Sequence, residues 1–401
     1  MPATAWRYGS RSPRGKEKHM TRMALALASL LLLGGALPTA ARVLHVKPGD
    51  SIQAAVDQAS SGDIVMIAPA TYHEVGRPCP TEPGNMCAVV VDKDGITLMA
   101  QGGGAGAVVL ENAGGQDQGI AIAKQGADGA TCIGDASQRI RGAGVRGLAV
   151  NGFGGDGIFL FCVDDWSVTF CSANDNAEYG IFPSHCGAGR VSRNVATGAN
   201  DTGIYIGQSH DVRVDHNRAT GNVSGFELEN SSHSRVDHNE ATGNTGGVLT
   251  FTNVFLDVKQ NADNRVDHNF SHDNNKPNSC LDPSDEVCAV PPGTGLLVLA
   301  TDRNQVDHNV VTGNDSFGIA VANFCVANNL TPDQCNALDI EPNPDFNRIL
   351  FNHATGNGTN PSPLINPVFA VDLAWDTSGT GNCWTGNVVG TTFPATFPPC
   401  L

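Results

Sequence analysis

The sequence predicts an all-β fold, a single-stranded right-handed parallel β-helix with an N-terminal capping helix and an irregular C-terminal cap. Three observations lead there. A strand-and-turn unit recurs about every 22 residues, a second strand inside each unit alternates apolar and polar positions, and a chain with 47 Gly and 40% hydrophobic residues is rich in turns yet apolar enough to fold.

The repeat is clearest between Val191 and Asn314. Val214-Asp-His-Asn-Arg-Ala-Thr-Gly-Asn, Val236-Asp-His-Asn-Glu-Ala-Thr-Gly-Asn and Val306-Asp-His-Asn-Val-Val-Thr-Gly-Asn copy one another, and Asn194, Asn217 and Asn239 lie 23 and 22 residues apart. The later steps to Asn269 and Asn309 stretch to 30 and 40 residues, as insertions would make them. Each unit also holds a second strand, such as Gly203-Ile-Tyr-Ile, Gly225-Phe-Glu-Leu-Glu or Gly247-Val-Leu-Thr-Phe, with Ile204/Ile206, Phe226/Leu228 and Val248/Thr250 on one face. One unit cannot bury that face alone, so coils must stack and share a core. Stacking at about 4.8 Å turns the repeated Asn into an amide ladder, with Cys171 in the same register one coil earlier.

The ends of such an array need covers. Ser51 followed by Ile52, Ala55, Val56 and Ala59 reads as a Ser-capped amphipathic helix plugging the first coil. The Pro-rich segment 359–401, with Trp375, Trp384 and the Cys383/Cys400 pair, loses the period and is expected to cap the last coil, leaving 42–358 as the β-helix. Upstream, Arg22, the apolar run Ala24 to Leu33, Pro38 and the small residues Thr39-Ala40-Ala41 read as a signal peptide over 1–41, with a true start at Met20 or Met23. A membrane anchor is the alternative, but the run is shorter than the ~20 residues a span requires. The protein is therefore expected to be periplasmic or secreted, with no membrane span after signal removal.

The formal charge is −16, and removing 1–41, which carries six basic residues and one acid, makes it −21. Such a surface excludes nucleic acid as a partner. Twelve Cys in an exported chain read as disulfides, Cys79/Cys87, Cys280/Cys288 and Cys325/Cys335 stapling loops, and none shows the paired spacing of a zinc or haem site.

The repeat also separates scaffold from candidate site. Arg213/Asp215, Arg235/Asp237 and Arg265/Asp267 are pairs two apart on one strand face, expected to form a solvated surface, with calcium on the Asp column as the one cofactor in question. His216, His238, His268 and His308 form a column through copying of one repeat and lack the converging geometry of a copper or zinc site. The second strand differs, because its outward positions do not copy. With Ile204 and Ile206 inward, Tyr205, Phe159, Phe161, Phe182, Glu227, Glu229, Leu249 and Phe251 point out, an aromatic and acidic face suited to sugar rings unless a loop or the C-terminal tail covers it. Glu227 and Glu229 stand about 6.7 Å apart along the strand, within the range for two carboxyls flanking a water in inverting glycoside hydrolysis. Asp201 and Tyr205 are placed to position or protonate. A lyase or epimerase would instead need a base and a cation facing a uronate, for which Tyr179, His185 and Arg190 are the candidates.

Val46-Lys-Pro-Gly-Asp-Ser-Ile-Gln-Ala-Ala-Val and Gly62-Asp-Ile-Val-Met-Ile-Ala-Pro-Ala-Thr-Tyr resemble the opening of the pectate-lyase-like superfamily, and the likeness spans nearly all of the chain after the signal. Tyr179-Gly-Ile-Phe-Pro, Gly203-Ile-Tyr-Ile-Gly-Gln-Ser and Pro291-Pro-Gly-Thr-Gly resemble exported bacterial β-helix proteins often encoded beside a secreted cytochrome-like protein, which implies such a partner but no particular chemistry. Tyr179-Gly-Ile-Phe-Pro-Ser-His185 resembles the Tyr-Gly-Phe-Asp-Pro-His motif of mannuronan C5-epimerases, but Phe182 replaces the Asp and the His is shifted by one. A resemblance to periplasmic copper-linked β-helix proteins rests on the repeat class alone. The superfamily resemblance implies a lateral groove for polysaccharide. The leading expectation is a carbohydrate-active lyase, epimerase or hydrolase; the rivals are a non-catalytic envelope or metal-delivery module and a scaffold or adhesin.

Overall fold

A computed structural model describes residues 41–401, apart from 103 and 105. The expected signal peptide, save its last residue, lies outside them. No helix among the described residues is long and apolar enough to cross a membrane. Three sheets of twelve, eleven and twelve strands run the length of the chain, and successive coils add one strand to each. One coil shows the plan: Arg213–Asp215 in the first sheet, Arg218–Thr220 in the second and Ser224–Glu229 in the third, each paired in parallel with its equivalent on the next coil. Ile204, Phe226, Val248, Leu296 and Ile319 stack in register and are fully or almost fully buried, which makes the interior one continuous apolar column.

Turn chemistry fixes where each coil bends. Between the first and second sheets, His216, His238, His268 and His308 adopt φ of 57°, 56°, 54° and 55°, a left-handed conformation that His, Asn and Asp enter more readily than most residues. The next residue is the ladder Asn. The Asn217 side-chain oxygen accepts from the Asn194 backbone N–H at 2.8 Å and its side-chain N–H at 3.0 Å, while Asn217 Nδ2 donates to the Val191 carbonyl at 3.0 Å. The same bonds repeat through Asn239, Asn269, Asn309, Asn352 and Asn387, and Cys171 N–H donates to Asn194 at the ladder's start. A second ladder, Asn222, Asn244, Asn274, Asn314 and Asn357, stands at the bend into the third sheet and ends on Asp372.

The Arg/Asp face corrects the expectation of a solvated surface with pairs along one strand. Asp215, Asp237 and Asp267 are 0% exposed, and each is gripped by two nitrogens of the Arg one coil earlier. Arg190 reaches Asp215 at 2.7 and 2.9 Å, and Arg213 reaches Asp237 at 3.0 and 2.9 Å, whereas Arg213 stands 3.7 Å from Asp215 on its own strand. Staggering across coils lets each guanidinium lie over the next carboxylate, and His216 Nδ1 adds a contact at 2.9 Å. Burial opposes ionisation of Asp215, but the bonds from Arg190 and His216 outweigh it and hold the carboxyl well below the usual range. These carboxylates are taken up by Arg and His, so the column offers calcium no free ligands. Among the described residues no cluster of three or more His, Cys, Asp or Glu could hold a metal ion.

The N-terminal plug is the helix Ile52–Gln58, capped by the Ser51 side chain and burying Ile52 and Val56. Its buried Gln53 bonds both the N–H and the C=O of Val90, covering the edge of the first coil. At the other end the structure extends the solenoid beyond the expected boundary at 359. Leu373–Trp375, Cys383–Thr385, Val388–Val389 and Thr392–Phe393 add strands to all three sheets, Asn387 continues the first ladder, and Asn382 extends a third one that runs through Asn264, Asn304 and Asn347. The insertion after Asn357 hides this coil from a period search. The last residues form the cover, with Phe397 against Trp384 and Cys400 bonded to Cys383. Cys79–Cys87, Cys280–Cys288 and Cys325–Cys335 staple loops as expected, Cys132–Cys162 joins residues 30 apart, and Cys171 and Cys186 are free and buried. Such a set fits an oxidising compartment.

Asn239→Ala would strand the Asn217 N–H and the Val214 carbonyl in the interior, and is expected to cost about 2–5 kcal/mol in urea unfolding. Arg218→Ala, at an exposed pair with Glu240, should cost about 0.5 kcal/mol or less in the same experiment.

Candidate functional site

Register in the third sheet sets two outward columns. The first runs Phe159, Phe182, Tyr205, Glu227, Leu249, Leu297 and the second runs Phe161, Ser184, Gly207, Glu229, Phe251, Leu299. Glu227 and Glu229 are therefore side by side on one coil, with aromatic rings on the preceding coils and Leu249, Phe251, Leu297 and Leu299 on the following ones. Gly207 is required here. A Cβ on it would stand 2.0 Å from the Tyr205 hydroxyl, so its absence lets the Tyr205 ring lie across the second column and donate a hydrogen bond to Glu229 Oε2.

Insertions at both ends of these strands build walls around that floor. Before the strands, 275–293 folds over so that Val290 packs on Val223 and Leu249, and 358–371 brings Ile365 and Phe369 against Phe317 and Ala374. After the strands come 252–260 and the disulfide-bonded helices Phe324–Ala327 and Pro332–Asn336. Asn253 ties the two sides together: its N–H donates to Asn230 Oδ1 at 2.6 Å and its Nδ2 donates to Glu286 Oε2 at 2.8 Å. The resulting cleft encloses about 950 Å³, toward the upper end of the roughly 300–1,000 Å³ usual for ligand sites. Eight carboxyl side chains line it, from Glu178 to Asp376, and no Lys, Arg or His does among the described residues.

Crowding carboxyls in a half-closed cleft favours their neutral forms. Glu227, 6% exposed, is pushed well above the ordinary range, first by burial and then by the charges of Asp201 and Glu229. Burial pushes Glu229 up to about 7, against the opposing bonds from Tyr205 and Asn253. Asp201 is raised mainly by burial, with Tyr179 and Thr202 opposing. Asp156, one carboxyl oxygen of which has no partner, continues the acidic strip toward Glu82 and is also raised by burial and its acidic neighbours.

Of the residues expected at the site, Tyr179, Phe182, Asp201, Tyr205, Glu227, Glu229 and Phe251 converge on this cleft. The others do not. Arg190 belongs to the first sheet and is committed to Asp215, because adjacency in sequence to the Tyr179 strand carries it around the bend onto another face. Phe159 points out of the barrel as expected but is 3% exposed, packed beneath the Cys79–Cys87 loop, so this end of the face is covered. Phe161 stacks on Phe159 at 5.9 Å and lies tilted against His185 at 5.0 Å, away from the cleft. His185 is buried, with Nδ1 2.9 Å from Ser184 Oγ, and burial lowers its pKa; it does not line the cleft. The residues that sequence reading missed are Asn253, Glu286 and the acids of the Cys280–Cys288 loop. Leu281-Asp-Pro-Ser-Asp-Glu advertises its charge, but nothing local says that the loop lies over Leu249.

Raised carboxyls tie stability to pH. A folded-state pKa near 7 for Glu229, above the ordinary 4.5, contributes stability that is complete below about 4.5 and is lost as pH rises through 7. The Asp215 and Asp237 carboxyls, held low, act oppositely and lose their contribution only in acid. The thermal midpoint is therefore expected to rise when pH falls from about 8 to about 6, and Glu227→Gln/Glu229→Gln should flatten that dependence in a melting series.

Two overlapping stretches, residues 107–262 and 156–337, match the family described as right handed beta helix region. No curated protein matches in sequence. Among solved structures, the A-module of mannuronan C-5 epimerase AlgE4 from Azotobacter vinelandii is 18% identical over 84% of this chain and 82% of that one, with a TM-score of 0.61. The AlgE6 A-module of the same organism is 16% identical over 86% and 91%, with a TM-score of 0.59. The periplasmic alginate epimerase AlgG is 14% identical over 87% and 73%, with a TM-score of 0.55. Identities this low establish a shared fold. The chain belongs to the right-handed β-helix family.

Proposed function

We propose that this is an exported, periplasmic or secreted, carbohydrate-active protein that binds a polysaccharide in the third-sheet cleft and hydrolyses it. The observation that carries the reading is the Glu227/Glu229 pair, two carboxyls on one strand in different environments at the floor of an aromatic cleft. Glu229 is oriented by Tyr205 and is the more readily ionised; Glu227 is held neutral by burial and by its acidic neighbours. Pairs whose surroundings push their pKa values apart divide the acid and base roles. Glu227 protonates the glycosidic oxygen as the bond to the anomeric carbon breaks, and Glu229 takes a proton from the water that attacks that carbon. The aromatic rings of Tyr179, Phe182 and Phe251 offer faces for sugar rings. Lyase and epimerase chemistry on a uronate fits less well, since both need the substrate carboxylate neutralised and the cleft lining supplies acids instead.

A polysaccharide panel followed for reducing ends and for unsaturated-uronate absorbance tests this. Reducing ends without unsaturated product are expected, with turnover falling by roughly 10²–10⁴-fold in Glu227→Gln. Unsaturated products, or undiminished turnover in that variant, would refute the assignment. Gly207→Ala, which displaces the Tyr205 ring, should lower turnover at least ~10-fold by misplacing Glu229, while a melting curve reports that the coil is intact.

A further inference from the structure

The charge of the cleft constrains which sugar enters it. Tyr179, Phe182 and Tyr205 form a trio with ring centroids 4.2, 4.7 and 5.3 Å apart, stacked in one pair and edge-on in two. Asp201, Glu227 and Glu229 stand beside it. Glu227 is 6% exposed and lines the cleft. Rings next to carboxyls that no Lys, Arg or His of the lining neutralises recognise one chemistry well, a positively charged nitrogen. A uronan entering the same space would set its carboxylates against the acids of floor and rim and meet no cation, a like-charge juxtaposition that opposes binding.

We infer that the cleft is selective for a cationic glycan, an amino-sugar polymer whose ammonium group seats between the Tyr179/Phe182/Tyr205 rings and the carboxyl of Asp201. The inference rests on the polysaccharide-binding reading above and narrows it to a substrate class. Asp201 supplies the counter-charge, Phe182 and Tyr205 the π faces, and the acidic 275–293 rim draws the polymer in. An incoming ammonium favours the ionised carboxylates, so binding displaces protons from the cleft to the buffer.

Calorimetric titration of the whole protein with three oligosaccharides of equal length separates the possibilities: N-trimethylated glucosamine, whose charge does not vary with pH, N-acetylglucosamine and mannuronate. The trimethylated oligomer is expected to bind at least ~10-fold more tightly than the acetylated one near neutral pH, to lose that advantage as salt is raised, and to release protons in buffers of differing ionisation enthalpy. Tyr179→Leu, at a half-buried position outside the core, should reduce the preference while leaving the melting temperature close to that of the parent. Equal or tighter binding of the acetylated oligomer, preference for mannuronate, absence of proton release, or no binding of any of the three would each overturn the inference. Hydrolysis of a neutral glycan without a cation preference would overturn it and leave the hydrolase reading standing; no turnover on any glycan, with tight binding of the cationic oligomer, would do the reverse.

Discussion

The structure depends on one constraint, that each coil must sit on the next without slipping by a residue. Parallel strands three residues long, as in the first and second sheets, offer few hydrogen bonds with which to hold that register. The Asn ladders hold it instead. An amide that accepts from the preceding Asn's backbone N–H and donates to a carbonyl of the preceding coil can do so only when equivalent residues are directly stacked. Because the ladder Asn is buried, a slip would leave both donors and acceptors unpaired away from water. Steps of 30 and 40 residues between successive ladder Asn are tolerated because the inserted residues leave and re-enter at points the ladders have fixed.

The same stacking has opposite electrostatic consequences on two faces. On the first sheet a column of Asp would repel itself, and the stagger by one coil places an Arg guanidinium over every carboxylate, with a His alongside, so the charges become part of the wall. On the third sheet no such compensation exists. Glu227 and Glu229 occur on a single coil, their neighbours on the adjacent coils carry no charge, and the acidic 275–293 loop adds charge of the same sign. Unpaired charge in a partly dry cleft is costly unless a ligand or a proton relieves it. That contrast between satisfied and unsatisfied acids marks the third-sheet face as the one with work left to do.

The geometry of the cleft comes from small features of the repeat and large departures from it. Gly207 occupies an outward position where the next coil carries Glu229, and only the missing Cβ allows Tyr205 to cross from one column to the other. The walls come from segments that do not repeat at all. Their disulfides, Cys280–Cys288 and Cys325–Cys335, each close a short loop and hold it compact above the sheet.

How much of this is legible in the sequence follows from the range of each interaction. The β-helix, its period, the first ladder, the capping helix and the inward alternation of Ile204/Ile206 and Phe226/Leu228 are written locally and repeated, so one chain suffices to read them. The outward face and its Glu pair follow by parity from the inward one. The second ladder is written in the recurring Thr-Gly-Asn, a shorter signal than the Val-Asp-His-Asn strand beside it. What the sequence could not determine is what lies over what. Arg190, close in sequence to Tyr179, is carried around a bend to another face, Phe159 points outward yet is covered by a loop more than 70 residues earlier in the chain, and the Asp column is buried by Arg from the preceding coil. Strand direction is set by neighbours in sequence; exposure, pairing across coils and the closing of the cleft are set by contacts between segments 20 to 100 residues apart, which only the assembled solenoid brings together.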